Sequence, residues 1–163
     1  MMDRLLFGLV FVSALGCGLI AGVFFAFSAF VIKGLSRLPP GQGIGGMQSI
    51  NIAAITPVFM IALFGTAALC AAVAVLAVSR WQRPGAAYLL TGGLLYIFGT
   101  ILVTILFNVP RNEALANVDP TTSAGVKLWA DYLTTWTAWN HVRTIAALGA
   151  TASFIMAISV ADA

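Results

Sequence analysis

The chain has 163 residues, 61% of them hydrophobic and only 8% charged, with a net charge of +3 at pH 7. That balance excludes an ordinary water-facing globular surface. The charges are scattered singly, with no basic cluster interleaved with aromatics, and this excludes a nucleic-acid partner.

Four stretches are long enough to cross a hydrocarbon core of about 30 Å, which takes roughly 20 helical residues: Leu5 to Ile32, Ile52 to Ser79, Ala86 to Phe107 and Trp139 to Val160. The expected fold is all-α, an integral membrane four-helix bundle forming one domain over residues 1–163, with an additional interfacial helix before the last span. No segment alternates apolar and polar residues as a membrane barrel strand does. In the first stretch, Leu15 to Cys17 resembles a lipoprotein cleavage site, but the apolar run continues to Ile32, too long for a signal peptide core. Cys17 and Cys70 fall in separate spans as small buried hydrophobes, and no disulfide between them is expected.

The connection from Lys33 to Asn51 carries two prolines and five glycines in KGLSRLPPGQGIGG, which predicts a turn up to about Ile44. A helix then carries MQSIN toward Pro57, where the second span should kink. Ser79 to Gly85 reads as a short connector. In the connection from Asn108 to Ala138, Pro110 opens a short helix and Pro120 ends it. The spacing of Val126, Trp129, Leu133 and Trp136 then predicts the amphipathic interfacial helix. Small-residue ladders at Ala14, Gly18, Gly22, Ala26 and at Gly149, Ser153, Ala157 predict close packing inside the bundle, with a homo-oligomer left open. Arg4, Arg80 and Arg83 are dense on the side of the termini, which places the termini in the cytoplasm and the chain in a bacterial inner membrane, with lipid as its surroundings.

The polar residues gather at the other side. On an ideal helix, Trp139, Arg143, Trp136, Asn140, Thr144, Thr137 and His141 follow one another around roughly half the circumference. Antiparallel crossing brings Ser28, Gln48, Asn51, Asn108, Arg111 and Asn112 to the same level, so a polar pocket is expected there. Each residue also has a plainer role. The tryptophans can form an interfacial belt, Asn51 and Asn108 can satisfy helix ends, and Arg143 can pair with Glu113 or Asp131. With one histidine and no HxxxH, CxxC or carboxylate pair, no metal site is expected. Nothing supports a Ser-His-Asp arrangement either.

Three segments carry a resemblance: AGVFFAFSAFVIKGLSRLPPGQGIGGMQSIN (Ala21 to Asn51), FNVPRNEALA (Phe107 to Ala116) and YLTTWTAWNHVRT (Tyr132 to Thr144). Together they resemble the anthrone oxygenase-like family of small four-helix membrane proteins. Arg111 departs from the family pattern, in which leucine is more usual. The resemblance implies oxidation of a polycyclic anthrone to an anthraquinone, with molecular oxygen as co-substrate and no metal or flavin cofactor. On that chemistry His141 is the base that removes the acidic methylene proton, and Arg143 and Asn140 stabilise the enolate oxygen. Trp136 and Trp139 wall a flat aromatic ligand, and Asn108, Asn112, Asn51 and Gln48 orient it. The alternative is a non-enzymatic protein that holds a lipid, quinone or other amphipathic ligand by Arg143, or serves a partner complex.

Overall fold

A computed structural model describes residues 3–161. Four helices are long and apolar enough to cross a membrane: α1 (Arg4–Ser36), α3 (Pro57–Ser79), α4 (Ala86–Ala116) and α5 (Ser123–Ala161). A shorter helix, α2 (Pro40–Ala53), joins the first two spans, and no strand occurs among the described residues. The spans form a ring in which α1 packs on α5 and α3, and α4 packs on α3 and α5. Large apolar side chains such as Leu5, Val58, Ile61 and Ile145 point outward, as lipid-facing positions require.

Several boundaries differ from the sequence expectations, each for a local reason. Pro40 takes the first helical position of α2, where a missing N–H costs nothing, so that helix starts before Ile44. Pro57 does not kink a continuous helix. The chain breaks at Ala54–Thr56, and Thr56 caps α3 by accepting from the Phe59 N–H at 3.3 Å. Pro110 stands in the first turn of a short α-helical segment, Val109–Ala116, as expected, and that segment continues α4 without a break. A π-helical stretch at Thr104–Asn108 runs directly into it. The interfacial helix is likewise no separate element. It is the first part of the 39-residue α5, which at 1.5 Å per residue outreaches the hydrocarbon core and projects beyond it.

Two apolar cores result. Toward the termini, Val10, Cys17, Ile20, Val73, Tyr96 and Phe154 pack among the four spans. On the opposite side Ile44 and Met47 of α2 meet Leu115 of α4 and Trp129, Tyr132 and Trp136 of α5. Trp129 and Trp136 therefore belong to a core, not to an aromatic belt. Val126, expected on the same face, is exposed, and the buried face runs through Gly125, Trp129, Tyr132 and Trp136 instead.

Close helix approach rests on other glycines than those in the α1 ladder. A Cβ at Gly16 would fall 2.2 Å from Thr66 Oγ1, and one at Gly99 only 2.4 Å from the Ala146 Cβ, whereas one at Gly22 would meet nothing within 4 Å. Gly22 lies exposed. Gly85 turns the α3–α4 connector at φ 84°, where an L side chain is strained. Cys17 and Cys70, of separate spans, lie side by side as free thiols with their Sγ atoms 3.6 Å apart.

At the side of the termini Asp3 caps α1 by accepting from the Leu6 N–H at 2.8 Å, and it pairs with Arg80 at 2.7 Å. The backbone bond, and then the Arg80 guanidinium, lower its pKa below the usual value of 3.8. Because the folded-state pKa is depressed, this stabilisation is present above the unfolded value and is lost as pH falls through the folded one. Thermal unfolding in detergent should therefore lose stability in the acid range below about pH 4, and Asp3→Asn should flatten that decline. Gly99→Ala should force α4 from α5 and destabilise by about 1–3 kcal/mol, the usual range for overpacking, measured by the same unfolding.

Candidate functional site

The site grows from α5. Of the expected polar arc, the middle members Trp136, Asn140, Arg143 and Thr144 are buried, Trp139 is half-buried, and His141 at the edge is exposed. His141 and Arg143 are two residues apart, roughly 200° around an ideal helix. The structure thus places the histidine on the outer face of α5 and the arginine inside the bundle.

Arg143 is 5% exposed. Among the described residues no acid lies within ion-pair distance of it, and the pairing expected with Glu113 or Asp131 does not occur. Neutral groups surround it instead. One terminal nitrogen donates to Asn140 Oδ1 and the other to Thr104 Oγ1 at 3.2 Å. The guanidinium carbon sits 4.0 Å from the centre of the Phe24 ring and 5.3 Å from that of Trp136. Each such cation–π contact is worth about 0.5–2 kcal/mol, while desolvating the ion costs several kcal/mol. The protein's neutral dipoles and rings leave the positive charge without a neutralising partner.

Asn140 is the hub of the cluster. Its Nδ2 donates to the Phe24 carbonyl at 2.8 Å and to Ser28 Oγ at 2.7 Å, and its Oδ1 accepts from Arg143. Both amide hydrogens are therefore committed to α1. Asn140 thereby holds Arg143 in place.

The other expected residues divide into two groups. Asn108 donates to the Trp136 carbonyl at 3.2 Å, and its buried Oδ1 has no partner. Asn112 Oδ1 accepts from the Tyr132 hydroxyl at 2.8 Å. Asn51 approaches that hydroxyl from α2, and its amide nitrogen is buried without a hydrogen-bond partner. Trp139 stacks on Phe107 with ring centres 3.7 Å apart, a flat half-buried wall. Gln48, in contrast, spends its amide on the Leu115 and Val118 carbonyls at 2.8 and 3.2 Å, satisfying the end of α4. Arg111 is similarly occupied, with Nε on Thr135 Oγ1 and a terminal nitrogen on the Phe107 carbonyl.

Sequence reasoning missed Phe24, Thr104 and Tyr132. A signal for one of them was available: Tyr96, Thr100, Thr104 and Asn108 repeat every four residues along α4. On a pure α-helix that spacing drifts by roughly 40° per step. Most of α4 between Leu95 and Asn108 is π-helical, and its wider turns keep the repeat toward the interior. Two donors remain unsatisfied beside the arginine cluster, Arg143 Nε and Trp136 Nε1.

The family model described as anthrone oxygenase matches residues 58–153, more than half of the chain. The chain belongs to the anthrone oxygenase family. The matched stretch contains the FNVPRNEALA and YLTTWTAWNHVRT segments and the whole arginine cluster of this anthrone oxygenase family member except its α1 contributions, Phe24 and Ser28. The segment from Ala21 to Asn51, with Asn51 and Gln48, lies outside it. No curated protein and no solved structure matches the chain.

In this family member, Asn140→Ala should leave the guanidinium and the Phe24 carbonyl underbonded and cost about 1–3 kcal/mol. Adding Arg143→Met should recover part of that loss, since the two residues share one network. Strictly additive unfolding energies in this double-mutant cycle would mean the contact carries no coupling.

Proposed function

We propose that this protein oxidises a flat, hydrophobic, anthrone-like substrate with molecular oxygen, using no cofactor of its own. The observation that carries this reading is the buried, carboxylate-free Arg143, whose Nε has no partner. A preorganised cation in a dry site stabilises negative charge that develops during reaction far better than water-exposed donors do. The anthrone methylene loses a proton to solvent water, from which the peroxide later recovers one, and the enolate oxygen takes up the charge against Arg143 and the Trp136 indole N–H. The carbanion carbon gives electrons to oxygen and forms a hydroperoxide, and loss of water from it leaves the quinone. One anthrone and one dioxygen yield one anthraquinone and one water.

Asn140 and Thr104 fix the guanidinium, and the half-buried Phe107–Trp139 stack supplies a flat apolar wall for the rings. Asn108 Oδ1 offers an acceptor to a phenolic hydroxyl of such a substrate. His141 lies on the outer face of α5, so one bound ring system does not touch both it and Arg143. The reading therefore puts the chemical advantage in enolate stabilisation and not in the imidazole.

Oxygen uptake by purified protein given an anthrone tests this. Arg143→Met should lower turnover by roughly 10²-fold or more, the scale of losing an oxyanion donor, with circular dichroism confirming the fold. His141→Ala should retain turnover, and its loss would restore the histidine to the base role. Binding of the anthrone near Arg143 with no oxygen consumption would make the protein a binder of acidic amphipaths.

A further inference from the structure

Away from the arginine cluster, Cys17 of α1 and Cys70 of α3 are both fully buried, with 3.6 Å between their sulfurs. The helices are held close on either side of this contact. Gly16 admits Thr66 of α3, and a Cβ at Gly93 of α4 would fall 2.8 Å from the Cys70 carbonyl oxygen. Tyr96 lies in the same core, but its hydroxyl is committed to the Leu63 carbonyl at 3.1 Å. The two thiols therefore have mainly each other as polar neighbours. On the outer surface of the same seam runs an apolar groove of about 470 Å³, lined by Val12, Leu15, Gly16, Leu19, Ile61 and Leu69 among others. Gly16 and Leu69 adjoin the two cysteines in the chain.

We propose that Cys17 and Cys70 form a redox dithiol that closes to a disulfide by reducing a lipid-soluble quinone reached through this groove. Two S–H bonds break and one S–S bond forms. The two electrons and two protons pass to the quinone oxygens, and the molecule leaves as the hydroquinone. Burial selects this class of oxidant. A charged, water-borne oxidant would have to be desolvated to reach the sulfurs, whereas a neutral quinone partitions into lipid and accepts both hydrogens. An S–S bond of about 2.05 Å lies within side-chain rotation and a small shift of two helices already in contact. The product ties α1 to α3 covalently, and α1 is the helix that brings Phe24 and Ser28 to Arg143. Cys17 lies outside the residues that match the family, so the pair is argued from this chain alone. It does not depend on the proposed oxygenase activity.

The full chain in phosphatidylcholine vesicles is treated without oxygen with duroquinone, whose fully methylated ring disfavours thiol addition. It is then denatured in acid, alkylated with N-ethylmaleimide and weighed intact. The reduced protein should take two maleimides. The treated protein should take none, weigh two hydrogens less, yield one duroquinol per chain, and recover both thiols with a phosphine reductant. Cys17→Ala and Cys70→Ala should each keep a reactive thiol and yield no duroquinol. Two thiols still alkylated after treatment of the unaltered chain, or bridges only between separate chains, would overturn the pair. Closure by ferricyanide confined to the aqueous phase, but not by duroquinone, would overturn the lipid-borne route.

Discussion

An arginine inside a membrane bundle must be solvated by the protein, and most of the polar architecture follows from that requirement. Among the described residues Arg143 has no acid as partner; it has an asparagine oxygen, a threonine hydroxyl and two aromatic faces. Asn140 is central because its other end reaches α1, so the group that holds the charge also holds two spans together. In lipid, where apolar contact gives helices little reason to associate, such interhelical bonds count. Removing the arginine and removing the asparagine are therefore perturbations of one unit.

The same economy appears in the backbone. Four π-helical stretches occur among the described residues, at Phe27–Val31, Ile61–Gly65, Leu95–Leu102 and Thr104–Asn108. The Leu63 carbonyl, in the second of them, receives the Tyr96 hydroxyl, and the Phe24 carbonyl, just before the first, receives Asn140. Wider turns leave carbonyls accessible, and side chains of neighbouring spans take them up. Packing and hydrogen bonding thus converge where glycines such as Gly16, Gly93 and Gly99 let the helices meet.

For the proposed reaction, the useful feature is a fixed positive charge with spare donors, next to a flat aromatic surface. A carboxylate beside Arg143 would stabilise the resting protein and cancel the field that a developing enolate needs. The exposed position of His141 separates the one imidazole from that field. Catalysis in this reading is electrostatic more than acid–base. The cysteine pair sits deeper along α1, toward the termini, and belongs to a different core from Trp136 and Tyr132.

Amino-acid order alone determined the number of spans, because stretches of apolar residues of that length have few other stable fates in water or lipid. It also determined that MQSIN, FNVPRN and WTAWNHVRT meet on one side, since antiparallel crossing leaves no other arrangement; Gln48 on Leu115, Asn108 on Trp136 and Tyr132 on Asn112 are that meeting. Composition and spacing do not say which edge of a polar arc turns inward. A rotation of α5 by a fraction of a turn would exchange His141 for Arg143, and only the packing of Phe24, Thr104 and Trp136 chose between them. The contact of Cys17 with Cys70 was decided the same way. Depth and rotation of two helices set it, and those depend on which glycines face which neighbours, a property of the assembled bundle rather than of any one segment.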